Sequence, residues 1–136
     1  MKEIDKKLIE TISRYTASGI DQQVDYEKFY LYSLITHSTA IEGSTVTEVE
    51  NQLLFDEGIA AKGRSLNEQM MNVDLKNAYL YGFEWAKTGQ PYSVELLCEL
   101  SAKVMRRTGS EYSTMGGSFD SSKGELRRCN VSAGIG

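Results

Sequence analysis

"STAIEGSTVTEVENQLLFDEG", residues 38–58, contains two helix stops and one helix start. Gly43 and Gly58 are the stops, because glycine enters the left-handed conformation that ends a helix without a Cβ penalty. Thr47 and Glu50 form the start. In a capping box the N-cap hydroxyl and the carboxylate three residues on satisfy each other's free backbone donors. The stretch therefore reads as the end of one helix, a tight turn and a second helix. One residue is out of place. Glu42 sits at the C-terminal end of the first helix, where the dipole is negative and an exposed carboxylate costs about 0.3–1 kcal/mol. Lys, Arg or His is the usual choice there.

Working outward, more helices appear. Asp25 is a candidate N-cap for a helix over 26–42, with Tyr26, Phe29, Tyr30, Leu34, His37 and Ile41 on one broad face. Residues 3–18 carry Ile4, Leu8, Ile12 and Tyr15 at helical steps, and Gly19 closes that segment. Downstream, Ser65 with Glu68 is a second capping box, opening a helix that runs to about Lys87. Gly89 and Pro91 punctuate the next connection. Ser93 caps a fifth helix, 94–107, carrying Val94, Leu97, Leu100 and Val104, and Gly109 ends it. The texture then changes. "SEYSTMGGSFDSSKGE", residues 110–125, has no helical period and reads as a loop, whereas "LRRCNVSAGIG", residues 126–136, alternates like one arm of a β-hairpin. The expected fold class is all-α in the main: five helices, a loop and an incipient hairpin. The expected divisions are 1–24, an N-terminal helix and connector; 25–58, two helices around Gly43; and 59–136, the remainder. The unfinished hairpin predicts that these residues are the front part of a longer domain.

Composition narrows the function classes. The 136 residues are 40% hydrophobic and 25% charged, as in globular domains, with a net charge of −4. An acidic balance argues against nucleic-acid and anionic-membrane partners, which need a basic face. Arg106-Arg107 and Arg127-Arg128 read as solvated helix-end and turn charges. No apolar run approaches the ~18 residues of a membrane span, and the charged N-terminus lacks a signal-peptide core. Cys98, in an apolar helical pattern, and Cys129, in a polar tail, form no disulfide framework or metal spacing, so a cytoplasmic location is expected. The only histidine, His37, reads as a partly buried helix residue with no catalytic role. Tyr26, Phe29, Tyr30, Phe83 and Trp85 read as core.

Ser38 and Glu42 are four residues apart and share a helix face, so the hydroxyl can help orient the carboxylate. Residues 38–58 resemble the N-terminal regulatory segment of Fic-domain proteins. That family's pattern (S/T)-x-x-x-E-(G/N) is matched by Ser38, Glu42 and Gly43, and the T-x-x-E helix start that follows it by Thr47 and Glu50. "NEQMMNVDLKNA" and "GQPYSVELLCELSAKVM" look like the family's next two helices. Gly124, Leu126, Arg127 and Val131 fill a G-x-(aromatic or Leu)-R-x-x-x-V stretch that leads into its β-hairpin flap. The resemblance runs from about residue 30 to the end.

The resemblance implies a protein adenylyltransferase, a nucleotidyltransferase that moves AMP from ATP, with Mg²⁺, to a Ser, Thr or Tyr hydroxyl of a target protein, possibly itself. The family's chemistry is done by an H-x-F-x-(D/E)-G-N-G-R-x-x-R loop, whose second Arg pairs with the inhibitory glutamate and so disturbs the ATP γ-phosphate. By this resemblance Ser38, Glu42 and Gly43 are the regulatory motif. Val131, Ser132, Ala133, Gly134 and Ile135 begin a flap that holds the target by strand addition. A homo-oligomer is a further expectation. The loop itself does not occur in these residues, so the 136-residue chain alone is expected to be inactive and to bind neither ATP nor Mg²⁺, while its complete parent is the enzyme. Two other readings stand beside this one: an antitoxin-like inhibitor of a separate Fic partner, and a plain helical interaction domain.

Overall fold

The computed structural model describes residues 2–132. Five helices run in chain order: α1 Glu3–Ala17, α2 Tyr26–Ile41, α3 Glu48–Glu57, α4 Leu66–Lys87 and α5 Val94–Val104. A two-stranded antiparallel hairpin follows, β1 Glu111–Thr114 and β2 Gly117–Asp120. The fold is mainly helical, as the stops and capping boxes predict. Two compact units divide the chain, Met1–Leu31 and Tyr32–Gly136, with the boundary inside α2.

In the first unit α1 ends at Ser18, and Gly19 takes φ 70° to turn the chain. Asp25 caps α2 through its Oδ1, which accepts from the Lys28 N–H at 3.0 Å. The helical stripe of Ile4, Leu8, Ile12 and Tyr15 is present, yet no residue of α1 is buried. This unit supplies only a short 3-10 turn and the first turns of α2, which is too little surface to cover a four-turn helix.

The second unit is built on three caps. Thr47 Oγ1 accepts from the Glu50 N–H at 3.2 Å, and Glu50 Oε2 accepts from the Thr47 N–H at 2.8 Å. Ser65 and Glu68 repeat the exchange at 3.1 and 2.9 Å. Ser93 Oγ accepts from the Leu96 N–H at 3.1 Å. α5 stops at Val104, three residues before the expected 107. The reason lies outside the helix. The Arg107 N–H leaves the helical ladder and donates to Asp74 Oδ2 at 2.8 Å, while the guanidinium grips Oδ1 of the same carboxylate. Asp74 is 1% exposed. Arg107 is therefore the counter-charge of a buried acid, not the solvated charge expected of it.

The hairpin lies in the segment expected to be a loop. Tyr112 pairs with Phe119 and Thr114 with Gly117, leaving Met115-Gly116 as a two-residue connection. The Tyr112 and Phe119 rings stack 5.2 Å apart, and Phe119 is buried. Residues 125–132 carry no strand, because no neighbouring strand pairs with them among the described residues. What joins the hairpin to the helices is Gly124. It has φ 71°, and a Cβ there would stand 2.0 Å from the Cys98 carbonyl oxygen and 3.1 Å from Ala102 Cβ.

The aromatic expectations are corrected in part. Phe29, Tyr30 and Phe83 are exposed rather than core, and Tyr26 and Trp85 are half-buried. Phe29 and Tyr30 meet edge to face with centroids 5.6 Å apart, and Phe83 lines an open groove between α4 and α5.

Two substitutions test this frame. Gly124→Ala forces a left-handed alanine against a backbone carbonyl and is expected to cost at least about 2 kcal/mol, read from urea unfolding. Arg107→Ala strands the buried Asp74 carboxylate on one backbone donor. The expected loss is about 3 kcal/mol, and Asp74→Asn should recover part of it in the double variant.

Candidate regulatory site

α2 ends in a complete Schellman motif. The Gly43 N–H donates to the Ala40 carbonyl at 3.1 Å and the Ser44 N–H to the Thr39 carbonyl at 3.0 Å, with Gly43 at φ 94°. Glu42 is the C-cap residue of this turn. Its side chain is exposed, and among the described residues it has no hydrogen bond or ion pair. Ser38, one turn earlier, is half-buried, and no hydrogen bond joins it to Glu42. The shared face is there; the orienting hydroxyl contact is not.

The turn is held from beneath by a polar junction that sequence reasoning missed. Thr36, Thr39, Ser44, Asn51 and Asn72 are all buried, Asn51 and Asn72 completely. Asn51 Nδ2 donates to Thr36 Oγ1 at 2.8 Å and to Asn72 Oδ1 at 2.9 Å. Thr39 Oγ1 donates to Asn72 Oδ1 at 2.8 Å. Asn72 Nδ2 donates to Ser44 Oγ at 3.1 Å and to the Glu68 carbonyl at 2.8 Å. Three helices, α2, α3 and α4, thus meet through side-chain amides and hydroxyls. Asn51 Oδ1 is buried with no partner among the described residues. The available signal was the run of short polar side chains in α4, Gln69, Asn72 and Asp74, all of them buried, which a count of apolar periodicity passes over.

Around the turn, the other carboxylates are engaged. Glu68 Oε1 accepts from the Thr45 hydroxyl and N–H at 2.6 and 2.8 Å, and Oε2 from the Ser65 N–H and hydroxyl at 2.9 and 2.8 Å. These donors, the Thr45 hydroxyl foremost, favour the ionised form and hold its pKa at about 2 instead of 4.5. Glu50 is lowered as well, first by the Thr47 N–H and then by Arg64, whose Nε lies 3.1 Å from Oε2. Glu48 Oε1 accepts from Ser33 Oγ at 2.9 Å and stands 3.1 Å from His37 Nε2. His37 is 74% exposed at its side chain, not half-buried as expected: it projects beside α3 to meet Glu48.

Val131 and Ser132 are exposed and without regular structure, and Ala133, Gly134 and Ile135 lie outside the described residues. Among the described residues no helix is long and apolar enough to cross a membrane, and no group of three or more His, Cys, Asp or Glu side chains is placed to hold a metal. Against protein-family models and curated proteins, the chain gives no match.

The arrangement offers one chemical feature: a carboxylate without a partner on a turn whose backbone is fixed. Such a group accepts a guanidinium, or competes with a phosphate for one.

The network carries a pH signature. Glu68 has a lowered pKa when folded, so the stability it contributes is present in full above pH 4.5 and is lost as the pH falls toward 2. Urea unfolding across that window should show a steeper loss for the wild type than for Glu68→Gln. Parallel curves would refute the assignment.

Proposed function

We propose that the chain is the N-terminal regulatory part of a Fic-type protein adenylyltransferase, held inactive by Glu42. The observation that carries this reading is the geometry at Glu42: a carboxylate at the unfavourable end of a helix dipole, unpaired among the described residues, on a Schellman turn anchored by buried hydrogen bonds. A site built only for stability would place a base there. The motif residues Ser38, Glu42 and Gly43, followed by the Thr47–Glu50 cap, support the same reading.

In it, Glu42 receives the arginine of a catalytic loop that residues 1–136 do not contain. What this chain contributes is a placed negative charge. Removing one partner of a close charge pair frees the other, so loss of Glu42 frees the arginine for a nucleotide phosphate. The acceptor is a target-protein hydroxyl, with the chain's own Tyr112, Ser113 and Thr114 as exposed or half-exposed candidates.

The test is AMP transfer from α-phosphate-labelled ATP by the complete gene product, wild type against Glu42→Gly. The reading frame is first checked for the H-x-F-x-(D/E)-G-N-G-R pattern. Labelling at least about tenfold stronger in the variant is the expected result, the size of an ordinary regulatory coupling. Equal labelling discards the switch, and a frame without the pattern discards the enzyme.

A further inference from the structure

We propose that Asn72 is the positioning residue for Glu42, acting from α4 by gripping both ends of the turn that carries it. The claim rests on the reading of Glu42 given above for its functional consequence. The grip itself is a matter of geometry.

The Schellman loop runs from Thr39, whose carbonyl accepts, to Ser44, whose N–H donates at 3.0 Å. Glu42 is the fourth of its six residues. One side chain contacts both closing residues. Asn72 Oδ1 accepts from Thr39 Oγ1 at 2.8 Å, and Asn72 Nδ2 donates to Ser44 Oγ at 3.1 Å. Its two remaining bonds go to Asn51 Nδ2, at 2.9 Å, and the Glu68 carbonyl, at 2.8 Å. A primary amide has two donors and two acceptor lone pairs, so Asn72 is fully used. It is 0% exposed, which removes water as a substitute partner.

The specificity follows from that inventory. Aspartate at 72 keeps the volume and the acceptors but cannot donate to Ser44 or to the Glu68 carbonyl. Leucine keeps the volume and makes none of these four bonds, leaving Thr39 Oγ1 only the Ile35 and Thr36 carbonyls of its own helix, at 3.1 and 3.3 Å, and Asn51 Nδ2 only Thr36 Oγ1. Only a short amide accepts at one end of the turn and donates at the other. Among the described residues the Glu42 side chain makes no bond that would hold it, and its N–H donates to the Thr39 carbonyl at 3.0 Å, so its position is inherited from the backbone of residues 39–44. A loosened turn would leave Glu42 in place chemically but spread over many positions, which weakens a charge pair that needs one geometry.

The experiment has two parts. In this chain, amide hydrogen exchange is followed by NMR for Ser44→Ala and Asn72→Asp. The Gly43 and Ser44 amides are expected to exchange about tenfold faster, the effect of losing one buried hydrogen bond, while the α5 amides of Leu100 and Val104 keep their rates. No change at Ser44, or equal acceleration in α5, overturns the proposal, the latter because it marks general loosening. In the complete gene product, AMP transfer is compared for Asn72→Asp, Glu42→Gly and the double variant. Positioning predicts that Asn72→Asp raises labelling and that the double variant labels like Glu42→Gly alone, since both act on one interaction. A double variant well below Glu42→Gly means a structural defect and overturns the role. If Glu42→Gly itself raises nothing, the regulatory reading falls, and the exchange measurement still decides the grip.

Discussion

The hydrogen bonds of Asn72 are the constraint on which the second unit depends. Burying an amide without partners costs about 1–3 kcal/mol, so a buried asparagine is tolerated only where its neighbours match it. Here they match in direction as well as number: Thr39 and Asn51 donate to its oxygen, Ser44 and the Glu68 carbonyl accept from its nitrogen. Apolar packing of α2, α3 and α4 would permit sliding of a helix by a fraction of a turn. A set of four directed bonds does not. Of the largest fully buried side chains, Ile35 is the one hydrocarbon beside Asn51, Asn72, Thr39 and Asp74. The centre of this unit is thus specified by polar geometry more than by volume.

That specification explains how the turn after α2 keeps a costly carboxylate. Four glutamates lie around it. Glu48 holds Ser33 and His37, Glu50 holds Thr47 and Arg64, and Glu68 holds Thr45 and Ser65. Glu42 alone among these four has no partner within the described residues. The three engaged carboxylates contribute local stability, which offsets the unfavourable dipole contact of the fourth. A charge left unmatched in so ordered a setting is what the regulatory reading requires, because it stays available for an outside cation without disturbing the helices beneath.

Elsewhere the chain leaves its apolar surface open. α1 buries nothing within its unit, and α4 with α5 frames an apolar groove of about 320 Å³ that includes Ala78, Gly82, Phe83 and Leu100. Helical periodicity says nothing of what faces an apolar stripe. The rings of Phe29, Tyr30 and Phe83 were read as core on periodicity alone, and their exposure shows the limit of that inference.

Much of the fold was legible because its signals are local. Thr47–Glu50 and Ser65–Glu68 satisfy donors within one turn, and Gly43, Gly58 and Gly19 adopt left-handed backbone that other residues avoid, so starts and stops follow from neighbours in the chain. The hairpin turn is equally local: Met115-Gly116 connect the strands, and Gly117 follows at φ 116°. Ser38, Glu42 and Gly43 could be placed on one helix end for the same reason. What no local pattern carries is the pairing of residues far apart in sequence. Asn72 meets Thr39 across 33 positions, Arg107 meets Asp74 across 33, and Gly124 meets Cys98 across 26, each through a distance and a direction that exist only once the helices are packed. The sequence alone determined where the helices begin, where all but α5 end, and where the odd carboxylate stands. The tertiary structure decided what holds that carboxylate's turn, because hydrogen bonds are made in space and periodicity records only one dimension of it.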